Sequence, residues 1–263
     1  MVLVKDVMSR NLMYLKPNDF VTKARGIMRE YGYRALPVIE NKKLVGIVSR
    51  TDVLKITSSK ANIEISGIMQ RNVISVSPDD DLFSAGRKII SNGIRQLPVV
   101  KDDEPIGIIS GMDILKGIVK NKYKPILKKV KDVMTSKVIY CSENDELSRV
   151  WDKIQEYGFS GLPVVFKEKV VGIITRSDII KHGSFRLSKE SGKVKNITVK
   201  KLMKSPPIVV EPETKISKSA KLIIKERISR LPVVENKEKF GKLLGIIDVE
   251  DILRAYITGN RKK

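Results

Sequence analysis

The stretch from Leu36 to Asp52, LPVIENKKLVGIVSRTD, decides how the rest of the chain is read. It holds a Leu-Pro-Val triplet, a polar break at Asn41-Lys42-Lys43, a second apolar run from Leu44 to Val48, and the ending Ser49-Arg50-Thr51-Asp52. Two short β-rich runs, Leu36–Glu40 and Leu44–Val48, around a polar break read as a hairpin. A Ser followed three residues later by an acid, ahead of Val53 and Leu54, reads as the start of a helix near Thr51.

The pattern recurs at Leu97–Asp113 (LPVVKDDEPIGIISGMD), Leu162–Asp178 (LPVVFKEKVVGIITRSD) and Leu231–Asp251 (LPVVENKEKFGKLLGIIDVED). In each copy the proline lies 29 residues after a methionine, namely Met8, Met69, Met134 and Met203. Each aspartate lies 6 residues after a glycine, namely Gly46, Gly107, Gly172 and Gly245. The gap from proline to glycine is 9 residues in three copies and 13 in the fourth, where Asn236 to Leu243 reads as a longer hairpin. Self-similarity at one fixed period marks a repeat architecture.

Upstream of each hairpin the periodicity changes to that of a helix. Ala24, Ile27, Met28 and Tyr31 follow the i, i+3, i+4, i+7 pattern, as do Leu147, Val150, Trp151 and Ile154. Gly32, Gly93 and Gly158 stand where such a helix ends in a left-handed cap, and Arg227 takes that place in the fourth copy. Each copy therefore reads as β-α-β-β-α, an α/β repeat. The boundaries are 1–58, 62–122, 126–185 and 195–258. One such repeat cannot bury its sheet face alone.

Composition narrows the function classes. One histidine, His182, and one cysteine, Cys141, leave no basis for a His-dependent triad, a cysteine metal cluster or an internal disulfide. No apolar run approaches a membrane span, and the start of the chain lacks the layout of a signal peptide, so a cytoplasmic protein with no membrane partner is expected. The segments between repeats are too short to hold a catalytic domain, and no enzyme activity is expected. The charge is unusual, with 51 Lys and Arg against 30 Asp and Glu, a net +21.

The Leu-Pro-Val strand, the glycine-led apolar triplet and the Ser/Thr-x-x-Asp ending resemble the CBS (cystathionine-β-synthase) domain, over nearly the whole chain. The resemblance implies four CBS repeats paired through their sheets into two Bateman modules, at 1–122 and 126–258, which in that family associate further within a chain or as a homodimer. It also implies a regulatory ligand, AMP, ADP, ATP or another adenosine compound, with no cofactor required. The Asp would hold the ribose, the Ser/Thr side would face the phosphates, and a basic residue three positions before the proline would reach them. A simpler role for the same ending is a helix cap, which stabilises by about 1 kcal/mol.

Carried over copy by copy, the sites are unequal. Copy one has Arg34 with Ser49, Arg50, Thr51 and Asp52. Copy two has Arg95 with Ser110 and Asp113, but Gly111 and Met112 replace the polar pair. Copy three has Thr175, Arg176, Ser177 and Asp178, with Ser160 before the proline. Copy four places Asp248, Glu250 and Asp251 where a phosphate would lie, and like charges there repel it. The fourth site is expected to be empty or structural, and no metal site is expected.

The basic residues cluster outside the repeat cores. Residues 1–122 carry 20 basic and 13 acidic residues, net +7, whereas residues 123–263 carry 31 and 17, net +14. Lys120, Lys122, Lys124, Lys128, Lys129 and Lys131 line the link between modules with no acid among them. Lys181, Arg186, Lys189, Lys193, Lys195, Lys200, Lys201 and Lys204 follow with only Glu190, and the chain ends Arg261-Lys262-Lys263. Each run alone reads as a solvated linker. Together they read as contacts to a phosphate backbone. RNA, and ribosomal subunits in particular, is the expected partner, in keeping with a similarity of architecture to archaeal CBS-type ribosome hibernation factors. The alternative is an energy-sensing regulatory subunit, similar to the γ subunit of AMP-activated kinase, controlling a protein kinase or other enzyme.

Overall fold

The structure, a computed structural model, describes residues 2–56, 62–181, 197–236 and 241–258. It divides into two compact units, one built on Met1–Ile126 and one on Leu127–Ala255. Each unit contains the same succession twice: a short 3-10 turn, a helix, a hairpin and a second helix.

In the first unit the turn Val4–Asp6 leads to α1 (Val21–Glu30), β1 (Ala35–Glu40), β2 (Lys43–Ser49) and α2 (Arg50–Lys55). The turn Ile65–Gly67 then leads to α3 (Leu82–Asn92), β3 (Gln96–Lys101), β4 (Glu104–Ser110) and α4 (Gly111–Lys120). The second unit begins with the turn Val130–Asp132, then β5 (Cys141–Ser142), α5 (Leu147–Glu156), β6 (Gly161–Phe166), β7 (Lys169–Thr175) and α6 (Arg176–Lys181). It closes with the turn Val199–Lys201, α7 (Ile216–Glu226), β8 (Arg230–Val234), β9 (Leu243–Asp248) and α8 (Val249–Ile257).

The helices form where apolar residues recur at helical spacing. Val21, Ala24 and Met28 of α1 are buried, as are Leu147, Val150 and Ile154 of α5. Gly32, Gly93 and Gly158 follow their helices with φ of 74°, 61° and 64°. Arg227 adopts the same left-handed conformation at φ 53°, with the steric cost of a Cβ. The hairpins turn through Asn41-Lys42, Asp102-Asp103 and Lys167-Glu168, all with positive φ at both positions. A two-residue turn of that hand matches the twist of the flanking strands.

Each hairpin is antiparallel, with its proline opposite an isoleucine (Pro37 with Ile47, Pro98 with Ile108, Pro163 with Ile173, Pro232 with Ile246). The proline carbonyl accepts the N–H of the strand that enters the repeat: Leu15 on Pro37, Val76 on Pro98 and Val210 on Pro232. That entering strand is shorter than the sequence pattern suggests. It is one parallel bridge in three repeats and the two residues of β5 in the third. One edge of the proline strand is already occupied by its hairpin partner, and the chain leaves the other edge at once to enter the helix.

The methionine segments do not pack on their own repeats. Val4 N–H and Lys5 N–H donate to the carbonyls of Asp80 and Pro78 in the second repeat, while Ile65 and Ser66 donate to those of Asp19 and Pro17 in the first. The second unit repeats this exchange. Val130 and Lys131 donate to Thr214 and Pro212, and Val199 and Lys200 donate to Asp145 and Glu143. The backbone then pairs with the partner hairpin, Ser9 with Ile108, Gln70 with Ile47, Thr135 with Ile246 and Lys204 with Ile173. The four motif glycines lie under these crossings. A Cβ on Gly107 would meet Ser9 O at 2.7 Å, and one on Gly172 would meet Lys204 O at 2.9 Å. The spaced methionine and glycine thus belong to one contact between two repeats.

Gly107→Ala is therefore expected to lower stability by about 1–3 kcal/mol, because backbone rather than a flexible side-chain end must move. Gly26→Ala, inside α1 with nothing within 4 Å of its Cβ position, is the control and is expected to be neutral or mildly stabilising. Urea unfolding of both variants measures this, and equal midpoints would contradict the crossing as the source of the glycine.

Candidate functional site

In all four repeats the end of the second hairpin strand caps the following helix. Ser49 donates to Asp52 Oδ2 from its N–H (2.9 Å) and its Oγ (2.5 Å), and Asp52 N–H donates back to Ser49 Oγ at 3.3 Å. Ser110 and Asp113 repeat this at 3.0, 2.6 and 3.3 Å. Thr175 and Asp178 do so too, with the Thr175 N–H at 2.9 Å and the return bond at 3.3 Å. The capping role is thus real at Ser49, Ser110 and Thr175. It engages only Oδ2 of each aspartate, so Oδ1 lies outside the box.

The fourth repeat makes the cap from two acids. Asp248 N–H donates to Asp251 Oδ2 at 3.1 Å, and Asp251 N–H to Asp248 Oδ1 at 3.0 Å. Asp251 is only 2% exposed, whereas Asp52, Asp113 and Asp178 are half-buried.

The position three before each proline meets the first turn of the capped helix. Arg50 N–H donates to Arg34 O (2.8 Å), Gly111 N–H to Arg95 O (3.1 Å) and Arg176 N–H to Ser160 O (2.9 Å). The fold therefore brings together the two halves of each candidate site, which the sequence separates by about a hairpin. Arg34, Arg95 and Ser160 are half-buried, while Thr51 and Ser177 are exposed on the helix start.

Two members of the expected set face elsewhere. The Arg50 guanidinium donates to the carbonyls of Met28 (3.2 Å) and Tyr33 (2.7 Å), and burial pushes its pKa down. Arg176, 8% exposed, donates to Ile154 O (3.3 Å) and Phe159 O (3.1 Å). Both close the C-terminal end of the preceding helix, whose last carbonyls lack helical donors. Each guanidinium thus ties helix to hairpin.

Two contacts were not legible in the sequence. Arg230, 8% exposed, donates to Gly161 O and to Ser160 Oγ, both at 2.7 Å. Lys204 Nζ lies 3.6 Å from Asp178 Oδ1. At the position matching Arg230, the first unit has Gln96, whose Nε2 donates to Ala35 O at 2.9 Å. Aligning the repeats on their prolines shows Gln96 and Arg230 as long polar residues two before the proline, which is the one signal the sequence holds for this contact.

The basic residues expected to meet RNA are partly neutralised by tertiary contacts. Lys129 Nζ and Lys131 Nζ lie 2.6 and 2.5 Å from the Glu213 carboxylate, which their hydrogen bonds hold down at a pKa of about 2. Lys200 pairs with Glu143 at 3.2 Å, and Lys204 with Asp178. The run 120–131 contains no acid in sequence, but the fold brings Glu213 to it. Lys120, Lys122, Lys124, Lys128 and Lys201 are exposed. The side chain of Lys181, and Arg186, Lys189, Lys193, Lys195, Arg261, Lys262 and Lys263, lie outside the described residues, as does His182. Among the described residues no His, Cys, Asp or Glu group is placed to hold a metal ion, and no helix is long and apolar enough to cross a membrane. Cys141 is buried, and burial pushes its thiol up to about 12.

Similarity to known proteins follows this architecture. Methanocaldococcus jannaschii MJ1225 is 26% identical over 281 residues, covering 97% of this chain and 98% of that one. Its crystal structure, described as a candidate archaeal homologue of γ-AMPK, superposes with a TM-score of 0.79 at 25% identity, covering 96% of this chain and 99% of that one. A conserved Pyrococcus horikoshii protein shares the fold at a TM-score of 0.72 and 24% identity, covering 97% and 100% of the two chains. MJ1404 of M. jannaschii is 29% identical over 275 residues, and the match spans 98% of this chain but 62% of that relative. The CBS domain is matched at residues 4–59, 65–120, 130–184 and 199–258, so this chain, with its four capped and reciprocally docked repeats, belongs to the CBS domain family.

Proposed function

We propose that this chain is a non-catalytic regulatory protein that binds adenine nucleotides at its first and third repeats and passes occupancy to a partner. The observation that supports this most is the carboxylate of Asp52 and of Asp178. Each uses Oδ2 for the helix cap and keeps Oδ1 outside it, in the first turn of a helix whose first N–H donates to the carbonyl of the residue three before the proline. A carboxylate oxygen so placed can accept hydrogen bonds from a ribose diol. The second repeat has the same carboxylate geometry but offers Gly111 and Met112 in place of polar side chains. The buried Asp251 and its neighbour Asp248 make the fourth repeat a poor host for phosphate.

Titration calorimetry with AMP, ADP and ATP on the ligand-free protein is expected to give affinities of about micromolar. Asp52→Ala is expected to remove one class of sites and Asp178→Ala the other. Binding unchanged in both variants would leave those residues as helix caps alone.

For the partner, the likeness to MJ1225 along the full length of both chains supports control of a kinase or another enzyme. The net charge of +21 favours a second reading, RNA, with ribosomal subunits as the specific target. Under that reading the exposed Lys122, Lys124 and Lys128 contact phosphates, and Lys129 and Lys131 contribute less because Glu213 holds them.

Sedimentation of a cell lysate separates the two partners. On the RNA reading the protein travels with ribosomal subunits, and its affinity falls roughly a thousandfold between about 50 and 200 mM salt if six or more phosphates are neutralised. Replacing Lys122, Lys124 and Lys128 by Glu is expected to weaken that association without changing nucleotide affinity. Failure to sediment with ribosomes or to bind RNA would leave enzyme regulation as the reading.

A further inference from the structure

The third repeat has a weak claim to anionic ligands if judged by its own residues. Ser160 stands where the first two repeats have Arg34 and Arg95. The Arg176 guanidinium is committed to the carbonyls of Ile154 and Phe159. Positive charge nevertheless reaches this place from the fourth repeat of the same unit. Arg230 sits against Ser160 Oγ at 2.7 Å, and Lys204 lies 3.6 Å from Asp178 Oδ1.

The first unit differs at both matching positions. Gln70 follows Met69 as Lys204 follows Met203, and its backbone pairs with Ile47 as that of Lys204 pairs with Ile173. Gln96 reaches the Ala35 carbonyl as Arg230 reaches that of Gly161. Two neutral amides in one unit are thus two cations in the other. The fourth repeat has an acidic ending of its own, Asp248, Glu250 and Asp251, with Arg230 opposite Asp248 in the hairpin, while the Arg230 guanidinium and Lys204 reach the third repeat's candidate site.

We propose that Lys204 and Arg230 of the fourth repeat complete the site at Asp178, so that the second unit selects an adenosine ligand bearing phosphate over the neutral nucleoside. The proposal rests on the reading of Asp178 as the ribose acceptor. Lys204 is 75% exposed and Asp178 14%, so their ion pair is a surface contact of small worth. A ribose hydroxyl taking Oδ1 releases the ammonium, whose flexible stem lets it turn to a phosphate. Arg230 cannot lose its proton, and its hydrogen bonds to Ser160 Oγ and Gly161 O fix it beside the third repeat's site.

The test uses AMP and adenosine as probes in titration calorimetry on the full chain. Asp52→Asn silences the site of the first repeat so that the signal reports Asp178. In that background Lys204→Gln, which installs the first unit's residue type, is expected to weaken AMP about tenfold and leave adenosine unchanged. Arg230→Gln, once its melting curve shows a folded protein, is expected to weaken AMP further. Where it does not fold, Lys204→Gln decides. In the reciprocal background, Asp178→Asn, the change Gln70→Lys is expected to tighten AMP relative to adenosine at the first repeat. Equal loss of both ligands, or no loss of AMP, in Lys204→Gln would overturn the inference while leaving nucleotide binding intact. Absence of binding by the unaltered protein would instead sink the proposed function itself.

Discussion

The rest of the structure depends on the exchange of methionine segments between the two repeats of each unit. A 3-10 turn, a methionine and the next backbone pair leave one repeat and lie across the hairpin glycine of the other. The exchange is reciprocal, so two crossings hold each unit together, Ser9 over Gly107 and Gln70 over Gly46 in the first. Backbone hydrogen bonds of this kind demand close approach, and only a residue without a Cβ admits it. The 29-residue interval from methionine to proline is then the length of chain needed to leave the partner, pair in parallel over one or two residues, form a helix and return.

The same exchange shapes the candidate sites. Because the residue after each methionine crosses to the partner hairpin, it arrives near the capped helix of the other repeat. That is how Lys204 comes to Asp178. The Ser/Thr-x-x-Asp ending consequently has two faces, with one carboxylate oxygen satisfying the helix start and the other left outside the cap. The Arg50 and Arg176 backbones remain at the site while their guanidinium groups serve the helix behind it.

Charge has to be read at two levels. The net +21 is a property of the sequence and sets the long-range field, whatever the fold. Its local distribution is tertiary. Glu213 lies 84 residues from Lys129 in the chain, yet its carboxylate sits between Lys129 and Lys131. Surface pairs of this kind contribute little to stability. They do divide the segment: Lys129 and Lys131 share the Glu213 carboxylate, while Lys122, Lys124 and Lys128 are exposed with no ion pair among the described residues.

The sequence by itself determined the repeat, its hairpin, its helices and their caps. Those features are local: alternation, helical spacing and the Ser/Thr-x-x-Asp ending act over a few residues, and the left-handed caps fell at Gly32, Gly93, Gly158 and even Arg227. The resemblance pointed to Arg34, Arg95 and Ser160, and the fold brings their carbonyls to the helix starts. Only the tertiary structure decided what the methionines and motif glycines are for, where the guanidinium groups of Arg50 and Arg176 point, and that Arg230 reaches Ser160 across 70 residues. Each of these is a side chain or segment satisfied by a distant carbonyl, hydroxyl or backbone edge. Such partners are chosen by packing helix on hairpin and repeat on repeat, and no pattern within a few neighbouring residues encodes them.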